Sequence, residues 1–213
     1  MNSWQKNIYT LLKETITNTA CELEYNNIFE LLVAVMLSAQ CTDKRVNMVT
    51  PKLFEQYPDC YAMAEADINA VESIIRPCGT YHIKANNLIE MSKALIANFN
   101  AVVPNTIEEL ISLPGVGRKT ASVILAEGYK IPAMPVDTHV FRVSNRLGLT
   151  NSDKVDEVEC ELKKIFPKDK WIEVHYLILL FGRYYCKAIG YNCSECRLNK
   201  LCKFSNKNYS KKG

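Results

Sequence analysis

The chain has 213 residues, of which 48% are hydrophobic and 23% charged, enough apolar material for a buried core and too many charges for a fibrous or disordered chain. With only eight glycines and eight prolines, it is poor in residues that interrupt regular structure, which favours long helices over many short strands. No run reaches the ~18 apolar residues of a membrane span: Ile28 to Ala39 and Trp171 to Phe181 are short and carry Glu30, Glu173 and His175. Lys6, Lys13 and Glu14 break up the start, so no signal peptide is expected and the default compartment is the cytoplasm, where thiols stay reduced. The net charge of +3 hides an asymmetry, because Cys186 to Gly213 holds seven basic residues (Lys187, Arg197, Lys200, Lys203, Lys207, Lys211 and Lys212) against Glu195 alone. A basic end suits a polyanion partner, and a solvated tail carries the same signature.

In chain order, Ser3 to Thr17 places Trp4, Ile8, Leu11 and Leu12 on one helical stripe. Asn27 is a cap before the apolar run Ile28 to Ser38. Asp67 caps Ile68 to Arg76, which Pro77 and Gly79 stop, and Tyr81 to Phe99 repeats apolar residues at helical spacing. Thr106 opens Ile107 to Ser112 with Glu109 three residues on, a capping-box pattern. A further helix is expected from the turn at Pro135 to Leu147. There is no internal repeat or strand-rich region, and the expected class is all-α with a short tail from Ser205.

Three constellations carry chemistry. Leu113-Pro114-Gly115-Val116-Gly117-Arg118-Lys119 joins two helical segments by a glycine hairpin, in which backbone N–H groups can approach a phosphate at a helix start. Arg118 and Lys119 sit where the helix dipole disfavours cations, so an anion or a reaction is expected to use them. In Pro135-Val136-Asp137-Thr138-His139 the aspartate is a natural N-cap, and a carboxylate fixed there can also offset a developing cation or move a proton. Of nine cysteines, Cys21, Cys41, Cys60, Cys78 and Cys160 are scattered and read as small core residues. Cys186, Cys193, Cys196 and Cys202 instead form C-x6-C-x2-C-x5-C. Four thiolates in so short a span can close on one metal centre; the uneven spacing suits a [4Fe–4S] cubane better than zinc, which commonly uses two close pairs, but leaves both open.

These segments, together with Leu37-Ser38-Ala39-Gln40 and Gly182-Arg183-Tyr184, occur in one order along the chain, and in that order the sequence resembles the endonuclease III family of bacterial helix-hairpin-helix DNA glycosylases. The resemblance implies two helical domains: a six-helix domain at 21–133 with the hairpin, and a second from 1–20 and 134–213 with a [4Fe–4S] cluster on Cys186, Cys193, Cys196 and Cys202. DNA is then expected to bind across the cleft between them. It implies a monomeric base-excision enzyme acting on double-stranded DNA with oxidised pyrimidines or abasic sites. Lys119 would be the nucleophile that expels the base and forms a Schiff base, and Asp137 its essential partner; β-elimination would then cut the strand on the 3′ side. Gln40 would fill the space left by the flipped base, while Lys84, Leu113, Gly115, Val116, Gly117, Arg118 and His139 would contact DNA. The loop Gly79 to Lys84 matches a second intercalating loop but departs at Thr80, where relatives often have leucine, and at His82. An adenine-specific relative lacks the lysine at position 119. A non-catalytic iron–sulfur DNA-binding module would need neither Lys119 nor Asp137.

Overall fold

The computed structural model describes residues 1–209; Lys211 and Lys212 of the basic end and the last residues of the tail lie outside them. The described residues form eleven α-helices and no strand. They divide into two compact units, Cys21–Ile131 and Met1–Ala20 with the chain from Pro132 on.

In the first unit, α2 (Ile28–Leu37) is apolar on nearly every side and buried from Glu30 to Leu37, and Asn27 starts it by accepting from the Glu30 amide at 2.9 Å. The helix α3 (Asp43–Gln56) carries Pro51 in its interior, a residue that removes a ladder hydrogen bond. The short α4 (Cys60–Ala64) and α5 (Ile68–Ile75) are capped by Asp59 and Asp67, and both pack on α6 (Tyr81–Phe99). The expected end of α5 at Arg76 becomes a 3-10 turn, Arg76–Cys78. Thr80 enters α6 in the left-handed region, φ 45°, and provides no cap. Only half of the capping box expected at Thr106 forms: its hydroxyl accepts from the Glu109 amide at 3.3 Å and opens α7 (Ile107–Ile111), but Glu109 Oε2 accepts from that hydroxyl at 2.6 Å rather than from the Thr106 amide. After the hairpin, α8 (Arg118–Val123) is six residues long and continues as a π turn, Ile124–Gly128.

In the second unit, α1 (Ser3–Thr15) buries Ile8 and Leu12 and packs on α11 (Trp171–Tyr184). Against α11 lies α9 (Thr138–Leu147), and the two come close at Gly182: a Cβ there would meet Val143 Cγ2 at 2.9 Å and His139 Cβ at 3.0 Å. The amphipathic α10 (Val155–Ile165) lays Val158 and Leu162 on the core. Only Cys60 and Cys78 of the five scattered cysteines are core residues; Cys21 and Cys41 are half-buried and Cys160 is exposed. The expectation of five small core residues is corrected accordingly.

Candidate active site and cysteine loop

The hairpin is built by two glycines with different duties. Gly115 has φ 75°, and a Cβ on it would stand 2.8 Å from Asn87 Cβ, Cγ and Nδ2, so it must be glycine for conformation and for the close approach to α6. Gly117, at φ −91° and ψ 172°, is the N-cap of α8 and has no neighbour within 4 Å of a built Cβ. Nothing inside the unit needs a glycine there; an approaching ligand would. Leu113 and Val116 correct the expectation of DNA contacts: both are buried and anchor the turn, and their amides are committed to the Leu110 carbonyl (3.2 Å) and the Leu113 carbonyl (3.1 Å). Arg118 and Lys119 are exposed in the first turn of α8.

Beside the hairpin, Gln40, Thr80, Ile83, Lys84, Asn87 and Gly115 line a cavity of about 220 Å³ that also reaches Met36 and Ala39. Gln40 is exposed at φ 53° immediately past α2, and Ile83 is 65% exposed one turn into α6. Lys84 corrects the expectation of a phosphate contact. It is buried, and its ammonium donates to the carbonyls of Leu37 (2.8 Å), Ala39 (2.8 Å) and Cys78 (2.7 Å). All three protons of a lysine ammonium are thereby committed. Burial holds its pKa below the ordinary lysine value, opposed by Cys41 and Cys78. His82 pairs with Glu72, Nδ1 to Oε2 at 2.8 Å, which ties the start of α6 back to α5.

In the other unit, Asp137 is the N-cap of α9, and its Oδ1 accepts from the amides of His139 (2.9 Å) and Val140 (2.7 Å). The cap therefore rests on one carboxylate oxygen. The segment before it is held by buried His175, whose Nδ1 lies 2.8 Å from the Pro135 carbonyl and so carries the proton. His139 is half-buried with Nδ1 at 3.2 Å from the Arg142 guanidinium, which makes that nitrogen an acceptor. Arg142 reaches on to the Gly182 carbonyl (2.9 Å) and the Cys186 carbonyl (3.1 Å), linking the Asp137 helix to the first cysteine of the array. Burial and Arg146 lower its pKa, while Cys186 and Asp137 oppose them.

One helical turn on, Arg146 stands between the rings of Tyr191 (4.3 Å) and Phe204 (4.7 Å). It donates to Cys186 Sγ at 3.4 Å and to the Lys187 carbonyl at 2.7 Å, and its own carbonyl accepts from Cys202 Sγ at 3.2 Å. The loop is closed further by the Cys193 amide on the Asn208 carbonyl (2.7 Å) and by Leu198, fully buried beneath it. Burial and the neighbouring thiols Cys186, Cys202 and Cys193 push Cys196 up, and Cys202 rises for the same reasons. Among the described residues, no three His, Cys, Asp or Glu are grouped so that they could hold a metal ion as they stand. Four thiols in one closed loop are a donor set that zinc and an iron–sulfur centre both accept. Of the basic residues here, Lys203 lies over Trp4 at 4.2 Å and Lys207 donates to the Asn199 carbonyl at 2.7 Å, while Lys187 and Lys200 are exposed.

Asn87, Arg146 and the His175 contact had no sequence signal, because each works on a partner far along the chain. The all-helical fold, with a glycine hairpin presenting a lysine, defines a helix-hairpin-helix protein. The model of the HhH-GPD superfamily of base excision DNA repair proteins matches residues 33–168. The chain is 45% identical over 194 residues to endonuclease III of Bacillus subtilis, covering 91% of this chain and 88% of that one. It is 39% identical over 200 residues to the Escherichia coli K12 enzyme, covering 94% and 95%. Among solved structures, a trapped endonuclease III–DNA covalent intermediate matches with a TM-score of 0.90 at 44% identity, over 95% of this chain and 97% of that one. A thymine-DNA glycosylase at 20% identity shares the fold with a TM-score of 0.83. The chain belongs to the endonuclease III family, the DNA glycosylases and abasic-site lyases of base excision repair. Among the described residues, no helix is long and apolar enough to cross a membrane.

Proposed function

We propose that this protein excises oxidised pyrimidines from double-stranded DNA and cuts the resulting abasic site through a Schiff base on Lys119. The observation that carries the reading is the exposed Lys119 on the first turn after Gly117, whose open face leaves room for a DNA backbone. A damaged nucleotide is extruded from the duplex more easily than a sound one, and selectivity begins there. The Lys119 amine, when neutral, attacks C1′ of the sugar and the bond to the base breaks with its electron pair; after Nζ loses a proton, the C1′–O4′ bond opens, its electron pair goes to O4′, which takes up a proton, and an iminium between Nζ and C1′ remains. That iminium acidifies C2′, and proton loss expels the 3′ phosphate by β-elimination. Asp137 takes up the amine proton or offsets the positive charge as the glycosidic bond breaks, and the cap on Oδ1 fixes its carboxylate for either task. Gln40 enters the stack, and Gly115, Gly117, Arg118 and His139 meet the backbone. The proposed domains are 21–133 and 1–20 with 134–213.

Cys186, Cys193, Cys196 and Cys202 would hold a [4Fe–4S] cluster, which supplies a rigid, charged centre for the loop. Arg146, placed between two rings and bonded to Cys186, orients that donor set. The enzyme is read as a monomer of the cytoplasm. Borohydride trapping on a duplex with one thymine glycol tests the chemistry: wild type forms a covalent band and Lys119→Ala does not. A band from Lys119→Ala would assign the reaction to another amine. No band from wild type that still binds the lesion tightly would remove the lyase assignment.

A further inference from the structure

Two cysteines outside the terminal array meet beside the cavity of Gln40 and Thr80. Cys41 follows Gln40 in the turn after α2, and Cys78 closes the 3-10 turn before Gly79 and Thr80. Both are free thiols, and the Cys78 thiol is close enough to Cys41 to be perturbed by it. Lys84 holds the two turns in this register: its ammonium binds the carbonyl of Ala39, two residues before Cys41, and the carbonyl of Cys78 itself. The Cys41 amide is fixed in turn on the Ser38 carbonyl at 3.1 Å. Each turn presents a left-handed residue to the cavity, Gln40 at φ 53° and Thr80 at φ 45°.

We propose that Cys41 and Cys78 are an oxidisable dithiol, a modification site at which a disulfide ties the Gln40 turn to the Thr80 turn and weakens DNA binding there. Cys41 is half-buried while Cys78 is 1% exposed, so Cys41 is the thiol that meets an oxidant. With a low-molecular-weight disulfide as oxidant, the Cys41 thiolate attacks one sulfur, forming a mixed disulfide and releasing one small thiolate. Cys78 then loses its proton and attacks the Cys41 sulfur, releasing the second. Two protein S–H bonds are lost, one S–S bond forms, and the electrons reduce the small disulfide to two thiols. Burial and contact with Cys41 push the Cys78 thiol up to about 11, with Lys84 and Arg45 opposing, which suits the resolving rather than the attacking role. In a reducing compartment such a pair is reversible, as sensing disulfides are. The bond shortens the sulfur separation to ~2.05 Å, less than any noncovalent thiol contact, and draws together the turns on either side of the cavity mouth.

The cross-link is independent of the proposed catalysis, whereas its effect on DNA rests on that reading, and the two are read separately. The folded holoenzyme is equilibrated with glutathione disulfide, alkylated, digested and mapped by mass. The expected product is a Cys41–Cys78 linked peptide two hydrogens lighter than its parts, formed without denaturant and removed by dithiothreitol. Affinity for an abasic-site duplex should fall by about fivefold or more, the low end of coupling between sites, and return on reduction. Cys41→Ala, which leaves buried Cys78 in place, should bind equally well before and after the same treatment. Recovery of both cysteines alkylated after equilibration would overturn the proposal at its first step. A linked peptide with unchanged affinity would overturn its second, and a matching loss of affinity in Cys41→Ala would assign the effect to other cysteines.

Discussion

Alanine at Gly115 and alanine at Gly117 should fail for opposite reasons. At Gly115 the backbone keeps φ 75°, which costs an L-residue ~1–2 kcal/mol. The new methyl would also stand 2.8 Å from Asn87 Cβ, an atom that moves only with the α6 backbone, and such overpacking adds ~1–3 kcal/mol. A total of about 2–5 kcal/mol corresponds to a Tm loss of roughly 5–15 °C for a chain of this length. At Gly117 a Cβ meets nothing within 4 Å, so stability should stay within ~0.5 kcal/mol. If a phosphate approaches that open face, however, the methyl separates it from the backbone amides. Loss of one hydrogen bond to a charged group, ~1.5–3 kcal/mol, is about a 10- to 150-fold weaker Kd. Thermal melting, with fluorescence anisotropy on a duplex holding a stable abasic analogue, measures both quantities. Wild-type affinity in Gly117→Ala would refute the assignment of the hairpin as the phosphate site, and an unchanged Tm in Gly115→Ala would refute the packing argument.

Further outcomes follow from single contacts. Lys84→Met keeps the length of the side chain but leaves the carbonyls of Leu37, Ala39 and Cys78 without their donor; a stability loss of ~3–5 kcal/mol is expected in urea unfolding, and a loss confined to DNA affinity would restore the phosphate role. Gly182→Ala forces α9 and α11 apart at Val143 and His139, at ~1–3 kcal/mol, and calorimetry showing no change would mean that the two helices do not meet as closely as described. The Cys78 thiol sits at about 11 in the folded chain, above the ~8.5 of an unfolded cysteine. Its contribution is therefore complete below about pH 8.5 and fades as pH rises through 11, so urea midpoints between pH 8 and 11 should fall more steeply for wild type than for Cys78→Ala. Parallel curves would place that thiol in a more solvated setting.

Local chemistry was legible in the sequence. Asn27, Asp67, Thr106 and Asp137 cap the helices they were expected to open, because each bonds an amide two or three residues ahead, within reach of any chain that turns there. The glycine hairpin and the cysteine spacing were readable for the same reason. Less was visible where a signal was weak or mixed. Pro51 stands inside α3, and the segment after Lys119 shifts into a π turn as Gly128 closes on Leu31, at 3.2 Å from a built Cβ. The sequence by itself thus determined the helical class, the family's motifs and the residues offered for chemistry. The tertiary structure decided what each could still do. Lys84 looks like a surface cation in sequence yet spends its charge on a carbonyl 47 residues away, and two unremarkable cysteines become a pair only when the ends of α2 and α5 meet. The physical reason is that burial and long-range hydrogen bonding depend on which segments pack together, and no short window of sequence contains both partners.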